Sequence, residues 1–129
     1  MPKNTSKHPR DIIIDLPDAR LRQKSKRIGH VGPHVEDLAK EMIVATLDWE
    51  ASRENEFGAA LAAIQIAQPE RVIVIRNDFE DKDDKSFGVF INPEIVKFEG
   101  EPEEAMEGCL SVPDVYGKVK RYPKVKVKA

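Results

Sequence analysis

Gly32-Pro-His-Val-Glu-Asp-Leu-Ala-Lys-Glu-Met-Ile-Val-Ala-Thr-Leu-Asp-Trp-Glu50 decides the fold class of this chain, because it carries the clearest period in the sequence. Val35, Leu38, Met42, Ala45 and Trp49 recur at spacings of three and four, which places one apolar stripe along a helix. Pro33 suits the first helical position, and Glu36 and Asp37 are favourable at the positive end of the helix dipole. The pattern predicts a helix from Pro33 to about Arg53, stopping between Glu50 and Glu54, with Met42 and Trp49 in the core.

Outward from that helix the chain reads mainly as β. Arg71-Val-Ile-Val-Ile-Arg76 is a strand, and the acidic stretch Asn77 to Ser86 is an exposed loop. Val89 to Pro93 is a second strand ended by proline; Ile95 to Phe98, Val115 to Lys120 and Lys124 to Lys128 are further strands. On the other side of the helix, Ile12-Ile13-Ile14 is a short β-branched run closed by the turn signal Leu16-Pro17-Asp18. Residues 1–10 are polar and expected to fray. There is no internal repeat and no domain boundary, so the expectation is one α+β domain over residues 1–129, a long helix packed on antiparallel or mixed sheet.

A chain of 129 residues can bury roughly two-thirds of its unfolded surface. With 21 basic against 23 acidic side chains, the balance gives no signal of DNA binding, which would need a clearly basic face. The last twelve residues are basic and free of acid; such an end could touch RNA, but the Lys-Val-Lys-Val alternation reads more readily as a strand with one solvated face. The single cysteine, Cys109, rules out an intrachain disulfide and is compatible with a reducing compartment. No apolar run approaches the roughly 20 residues of a membrane span, and the N-terminus lacks the apolar core of a signal peptide. The expected location is the cytoplasm.

Two segments carry more than fold. In Gly58-Ala59-Ala60-Leu61-Ala62-Ala63-Ile64-Gln65, small residues allow close backbone approach, and Gln65 adds an amide that donates and accepts. A helix terminus running into a packed strand would explain the same residues. In Glu107-Gly108-Cys109-Leu110-Ser111-Val112-Pro113, a thiol beside glycine is open to act as a soft metal ligand or a nucleophile. A small buried hydrophobe is the plainer reading of such a cysteine.

Together the two segments resemble the first and second motifs of the peptide deformylases, Gly-x-Gly-x-Ala-Ala-x-Gln and Glu-Gly-Cys-Leu-Ser. Glu107 to Ser111 match the second without a change, and Gly58, Leu61, Ala62, Ala63 and Gln65 match the first. Leu16 to Arg22, Phe90 to Glu94 and Val119 to Arg121 agree as well, so the resemblance runs from Ile12 onward. Ala60 stands where the family has its second glycine, which would be strained if that position needed a positive φ. The third family motif, His-Glu-x-x-His, does not occur in the 129 residues. His30 and His34 do not replace it, because Gly32-Pro33 between them breaks the helical spacing.

The resemblance implies a metal-dependent amide hydrolase that removes the formyl group from the N-terminal methionine of nascent, ribosome-borne peptides. It implies Cys109 as a ligand of a divalent metal, Fe2+ or a substitute such as Zn2+, Ni2+ or Co2+. Gln65 and the backbone N–H of Leu110 become oxyanion donors. Gly58, Ala59, Ala60 and Gly108 line the peptide groove, and Glu107 with Arg121 braces the cysteine segment. The two histidine ligands and the general base have no counterpart, so the expectation is a chain truncated before its catalytic helix, which holds metal weakly and is inactive alone. A non-catalytic module that keeps the peptide groove is the alternative. A cysteine nucleophile would need a histidine base, and none stands near Cys109 in the sequence.

Overall fold

A computed structural model describes residues 8–129. Helix α1 (Pro33–Ala51) begins where proline and the Gly32 cap put it. It is followed by β1 (Ala60–Ala62), a 3-10 turn (Ala63–Ile66), β2 (Val72–Arg76), β3 (Phe87–Ile91), β4 (Glu94–Glu99), β5 (Glu103–Cys109), β6 (Val112–Arg121) and β7 (Lys124–Lys128). These strands pair antiparallel throughout: β1-β2-β3 form one sheet, β4-β7 a two-stranded ribbon, and β5-β6 a hairpin. One long helix with antiparallel sheets is the α+β class expected.

The core forms where the helical stripe meets the first sheet. Val35, Leu38, Ala39 and Met42 of α1 pack with Leu61 of β1 and with Val72 and Val74 of β2. Strand β2 alternates buried and half-buried residues, so its inward face reads Val72, Val74, Arg76. Truncating Met42, which is fully buried, would cost about 2–5 kcal/mol, the usual range for a core methionine. Leu110 at the tip of the β5-β6 hairpin joins the same cluster, so the hairpin is plugged into the core by its turn.

Three expectations are corrected. Trp49 is only half-buried at the margin of the core, and it lines a cavity as well. The β-branched run Ile12-Ile13-Ile14 joins no sheet. Its first residue closes a 3-10 turn (Pro9–Ile12), and beyond it Ile14 N–H donates to the Gln65 carbonyl (2.8 Å) and Leu16 N–H to the Ser111 carbonyl (3.0 Å). That segment is a strap across two parts of the chain. Of the head expected to fray, residues 1–7 lie outside the described residues, whereas Arg10 is tied to Asp48, with Nη1 3.1 Å from Oδ2. Finally, both faces of β7 are exposed. Residues opposite one another in a ladder share a face, so Ile95, Phe98, Val125 and Val127 form an open apolar side of the β4-β7 ribbon, with Tyr122 against Phe98. Among the described residues no helix is long and apolar enough to cross a membrane.

Candidate active site

The hairpin β5-β6 turns through Leu110 and Ser111, both buried. Burial of that turn fixes the residue before it, yet Cys109 itself stays exposed, so the plainer reading of a buried small hydrophobe is set aside. Facing it, the turn after β1 presents Gln65. Its Oε1 accepts the Ala62 N–H (2.9 Å), which orients the amide so that Nε2 points across the gap. Nε2 reaches Cys109 Sγ at 3.4 Å and donates to Ser111 Oγ at 3.1 Å. The strap closes the arrangement from behind, through its bonds to the Gln65 and Ser111 carbonyls. Two segments 44 residues apart are thereby held on one rim.

That rim opens into a cavity of about 510 Å³. Gln65, Gly108, Cys109 and Leu110 stand on one part of its wall, Ala59 and Ala60 on another. Ala60 lies in extended β1, paired with Ile75, and is not among the residues of positive φ, so it carries no left-handed strain. Strand β1 is an edge strand of its sheet. Gly108 is there for space: a Cβ would sit 2.7 Å from Cε1 of Tyr116.

Gly58 departs from expectation. It was expected to line the groove, but it is buried beneath the wall with both backbone polar groups engaged. Its N–H donates to Glu50 Oε1 (3.0 Å), and its carbonyl accepts from Arg76 Nη1 (3.1 Å). A Cβ there would lie 2.8 Å from Thr46 Cγ2 and 3.0 Å from the Thr46 carbonyl oxygen, so glycine is required by close approach to α1.

Glu107 and Arg121 pair across β5 and β6 as a fork, Nη2 to Oε1 at 2.9 Å and Nε to Oε2 at 3.0 Å. The Arg121 guanidinium holds the Glu107 carboxyl below its ordinary value, and the carboxylate raises that of Arg121 in return. Glu56, Phe57, Phe79 and Tyr116 also line the cavity, and no motif in the sequence pointed to them. Phe57 and Phe79 meet edge to face at 5.8 Å, and Tyr116 Oη donates to Glu56 Oε2 at 2.6 Å, which pushes the phenol above its ordinary value. No periodicity marks them, because three sit in loops and the fourth on an exposed strand.

Cys109 offers one soft donor to a metal. Among the described residues no group of three His, Cys, Asp or Glu side chains could hold one. A catalytic metal centre takes three protein ligands, so the donor set of these residues does not fit a complete centre.

The chain matches the family model described as Polypeptide deformylase over residues 11–129. It is 41% identical over 122 residues to a peptide deformylase of Rhodopseudomonas palustris (strain BisB5), covering 92% of this chain and 64% of that protein. It is 39% identical over 109 residues to that of Desulforudis audaxviator, covering 84% and 63% respectively. The chain thus spans a little under two-thirds of the length of these relatives. Among solved structures, a peptide deformylase from Synechococcus elongatus in complex with actinonin superposes with a TM-score of 0.77 at 32% identity, over 89% of this chain and 58% of that one. One from Legionella pneumophila gives 0.75 at 39% identity, over 91% and 63%. With family model, relatives and fold in agreement, the chain belongs to the polypeptide deformylase family.

Proposed function

We propose that this chain supplies the thiolate and the oxyanion donors of a deformylase centre. The reaction is hydrolysis of the formyl amide at the N-terminal methionine of a nascent peptide. The C–N bond breaks, water provides the hydroxyl of formate, and the proton goes to the amine. The observation that carries this reading is the convergence of Gln65 and Cys109 at 3.4 Å on the rim of one cavity.

In this reading Cys109 is one ligand of a divalent cation, Fe2+ or, as substitutes, Zn2+, Ni2+ or Co2+. Such a cation, when bound, supplies Lewis acidity. The remaining work belongs to residues of the chain. The peptide lies extended along the open edge of β1, where Ala59, Ala60 and Gly108 leave room for its backbone. The formyl oxygen faces Gln65 Nε2 and the Leu110 N–H. Because Oε1 of Gln65 is taken by Ala62, its donor end is the one presented. Glu107 and Arg121 keep the cysteine strand in register with β6. Nascent formylated chains place the reaction at the ribosome, in the cytoplasm.

The test is a fusion in which the part of the Rhodopseudomonas palustris enzyme that this chain does not span follows Ala129. The fusion should release formate from a formyl-Met peptide, Cys109→Ala should abolish release, and Gln65→Leu should lower kcat by roughly 100- to 1,000-fold, as for loss of one oxyanion donor. A folded Cys109→Ala fusion with undiminished turnover would remove Cys109 from the centre and end this reading.

A further inference from the structure

Arg76 is a fully buried cation that the chemistry above does not use. It ends the inward face of β2, and Nη1 lies 3.0 Å from Glu50 Oε1 on α1. The same guanidinium donates to the Gly58 carbonyl at 3.1 Å, to the Lys82 carbonyl at 2.8 Å and, through Nε, to the Asp84 carbonyl at 2.9 Å. Its plane lies over Phe57, 4.5 Å from the ring centroid, with Phe87 5.5 Å away. Its backbone N–H donates to the Ala59 carbonyl at 2.7 Å. Glu50 in turn takes the Gly58 N–H. A buried ion pair is poor value for stability alone, since well-packed apolar residues of the same volume do as well or better. What apolar residues cannot do is bond three carbonyls and one N–H at fixed angles, which a planar guanidinium and its carboxylate can.

We propose that Glu50 and Arg76 are positioning residues of the groove: they grip the N–H and the carbonyl of Gly58 and so set the Ala59-Ala60 wall against the Gln65–Cys109 rim. Arg76 also anchors the 77–86 loop from below, and that loop carries Phe79, which meets Phe57 in the same cavity. One buried side chain therefore holds two parts of the wall. This proposal rests on the reading of the cavity as a peptide groove.

The experiment uses the 129-residue chain labelled with 15N-glycine and 15N-glutamine. Arg76→Lys keeps the charge but lacks the fork; Glu50→Gln keeps an acceptor for the Gly58 N–H, whereas Glu50→Ala removes it. In Arg76→Lys and Glu50→Ala, amide exchange at Gly58 should accelerate about tenfold or more at temperatures where circular dichroism shows a folded chain, while Glu50→Gln stays near the parent. Titration with a formyl-Met tripeptide should shift the Gln65 side-chain amide of the parent, and in Arg76→Lys the affinity should fall about tenfold. Folded variants with unchanged Gly58 exchange and unchanged peptide affinity would overturn the positioning role and leave the pair as packing. Should Arg76→Lys fail to fold, the contrast between Glu50→Ala and Glu50→Gln decides. A parent chain whose Gln65 resonances ignore the peptide overturns the groove reading instead, and Gly58 exchange then judges the clamp by itself.

Discussion

Gln65 Nε2 stands 3.4 Å from Cys109 Sγ, and the same nitrogen donates to Ser111 Oγ. The amide thus bridges two residues of one turn, while its own oxygen is held by Ala62. A thiol met this way is open to reagents yet fixed in direction. Cys109 in the native chain should react with iodoacetamide at close to the rate of an unfolded control. Gln65→Glu should slow the reaction severalfold, because it replaces the amide donor that faces the sulfur with oxygens that cannot donate to it. Labelling rates followed by mass spectrometry check this, and equal rates for the two chains would mean that residue 65 does not face the sulfur in solution.

Acid should unfold the chain through Glu50. Burial pushes its carboxyl up, but the Gly58 N–H and the Arg76 guanidinium outweigh burial and hold it below its ordinary value. A carboxyl depressed in the folded state stabilises above its unfolded value near 4.5, and that contribution is lost as pH falls through the folded value. Urea unfolding should give constant stability from neutral pH down to about 5 and a decline below 4.5. Glu50→Gln should flatten part of that decline. Arg76→Met should cost about 3–5 kcal/mol at pH 7, the penalty for a buried carboxylate without its partner.

Gly108→Ala places a methyl 2.7 Å from Tyr116 Cε1, a clash with a ring that lies on the exposed surface. The substitution should cost about 1–3 kcal/mol alone. Combined with Tyr116→Ala it should cost far less than the two single changes together, because the second removes the obstacle. Gly58→Ala offers the contrast: one of its two obstacles is a backbone oxygen of α1, which no side-chain change can clear. Additive free energies in the Gly108–Tyr116 cycle would show that the ring does not sit over that strand.

The open side of the β4-β7 ribbon is a contiguous apolar surface built of Ile95, Phe98, Val125 and Val127 with Tyr122, each exposed. The chain should bind the dye ANS while folded and self-associate as its concentration rises. Phe98→Ser with Val127→Thr should reduce both without altering the near-ultraviolet circular dichroism. A parent chain that is monodisperse and silent toward ANS would contradict the exposure of this face.

What was legible in the sequence follows from where the physics is local. The helix was readable because Pro33 and the stripe from Val35 to Trp49 obey one period, and the observed Pro33–Ala51 falls within two residues of it. Strand β5 was not, because Glu103-Glu-Ala-Met-Glu-Gly108 has little β preference. It is a strand because it pairs with β6 along its length, where Arg121 forks onto Glu107, a partnership visible only after pairing. Ile12 to Ile14 reads in the sequence only as a β-branched run, because its place as a strap depends on the carbonyls of Gln65 and Ser111, far along the chain. At the site, motif residues pointed to Gln65 and Cys109, while Phe79 and Tyr116 arrive through a loop and a hairpin whose paths local rules do not specify. Arg76 was half readable. Its alternation with Val72 and Val74 turns it inward, but its partner on α1 could be named only once the helix and strand were packed.

The strap has a consequence for synthesis. Ile14 docks on Gln65, but the seat of Leu16 is the carbonyl of Ser111, so the second contact has no counterpart until roughly 95 more residues have been made. At about 5–20 residues per second, the N-terminal segment waits roughly 5–20 s in a chain that is still growing. During that interval Gln65 has no Cys109 to face and α1 has no hairpin tip to complete its core. The site therefore closes late and all at once, when the β5-β6 turn arrives, and a ribosome stalled before Ser111 would hold a strap fastened at one end only.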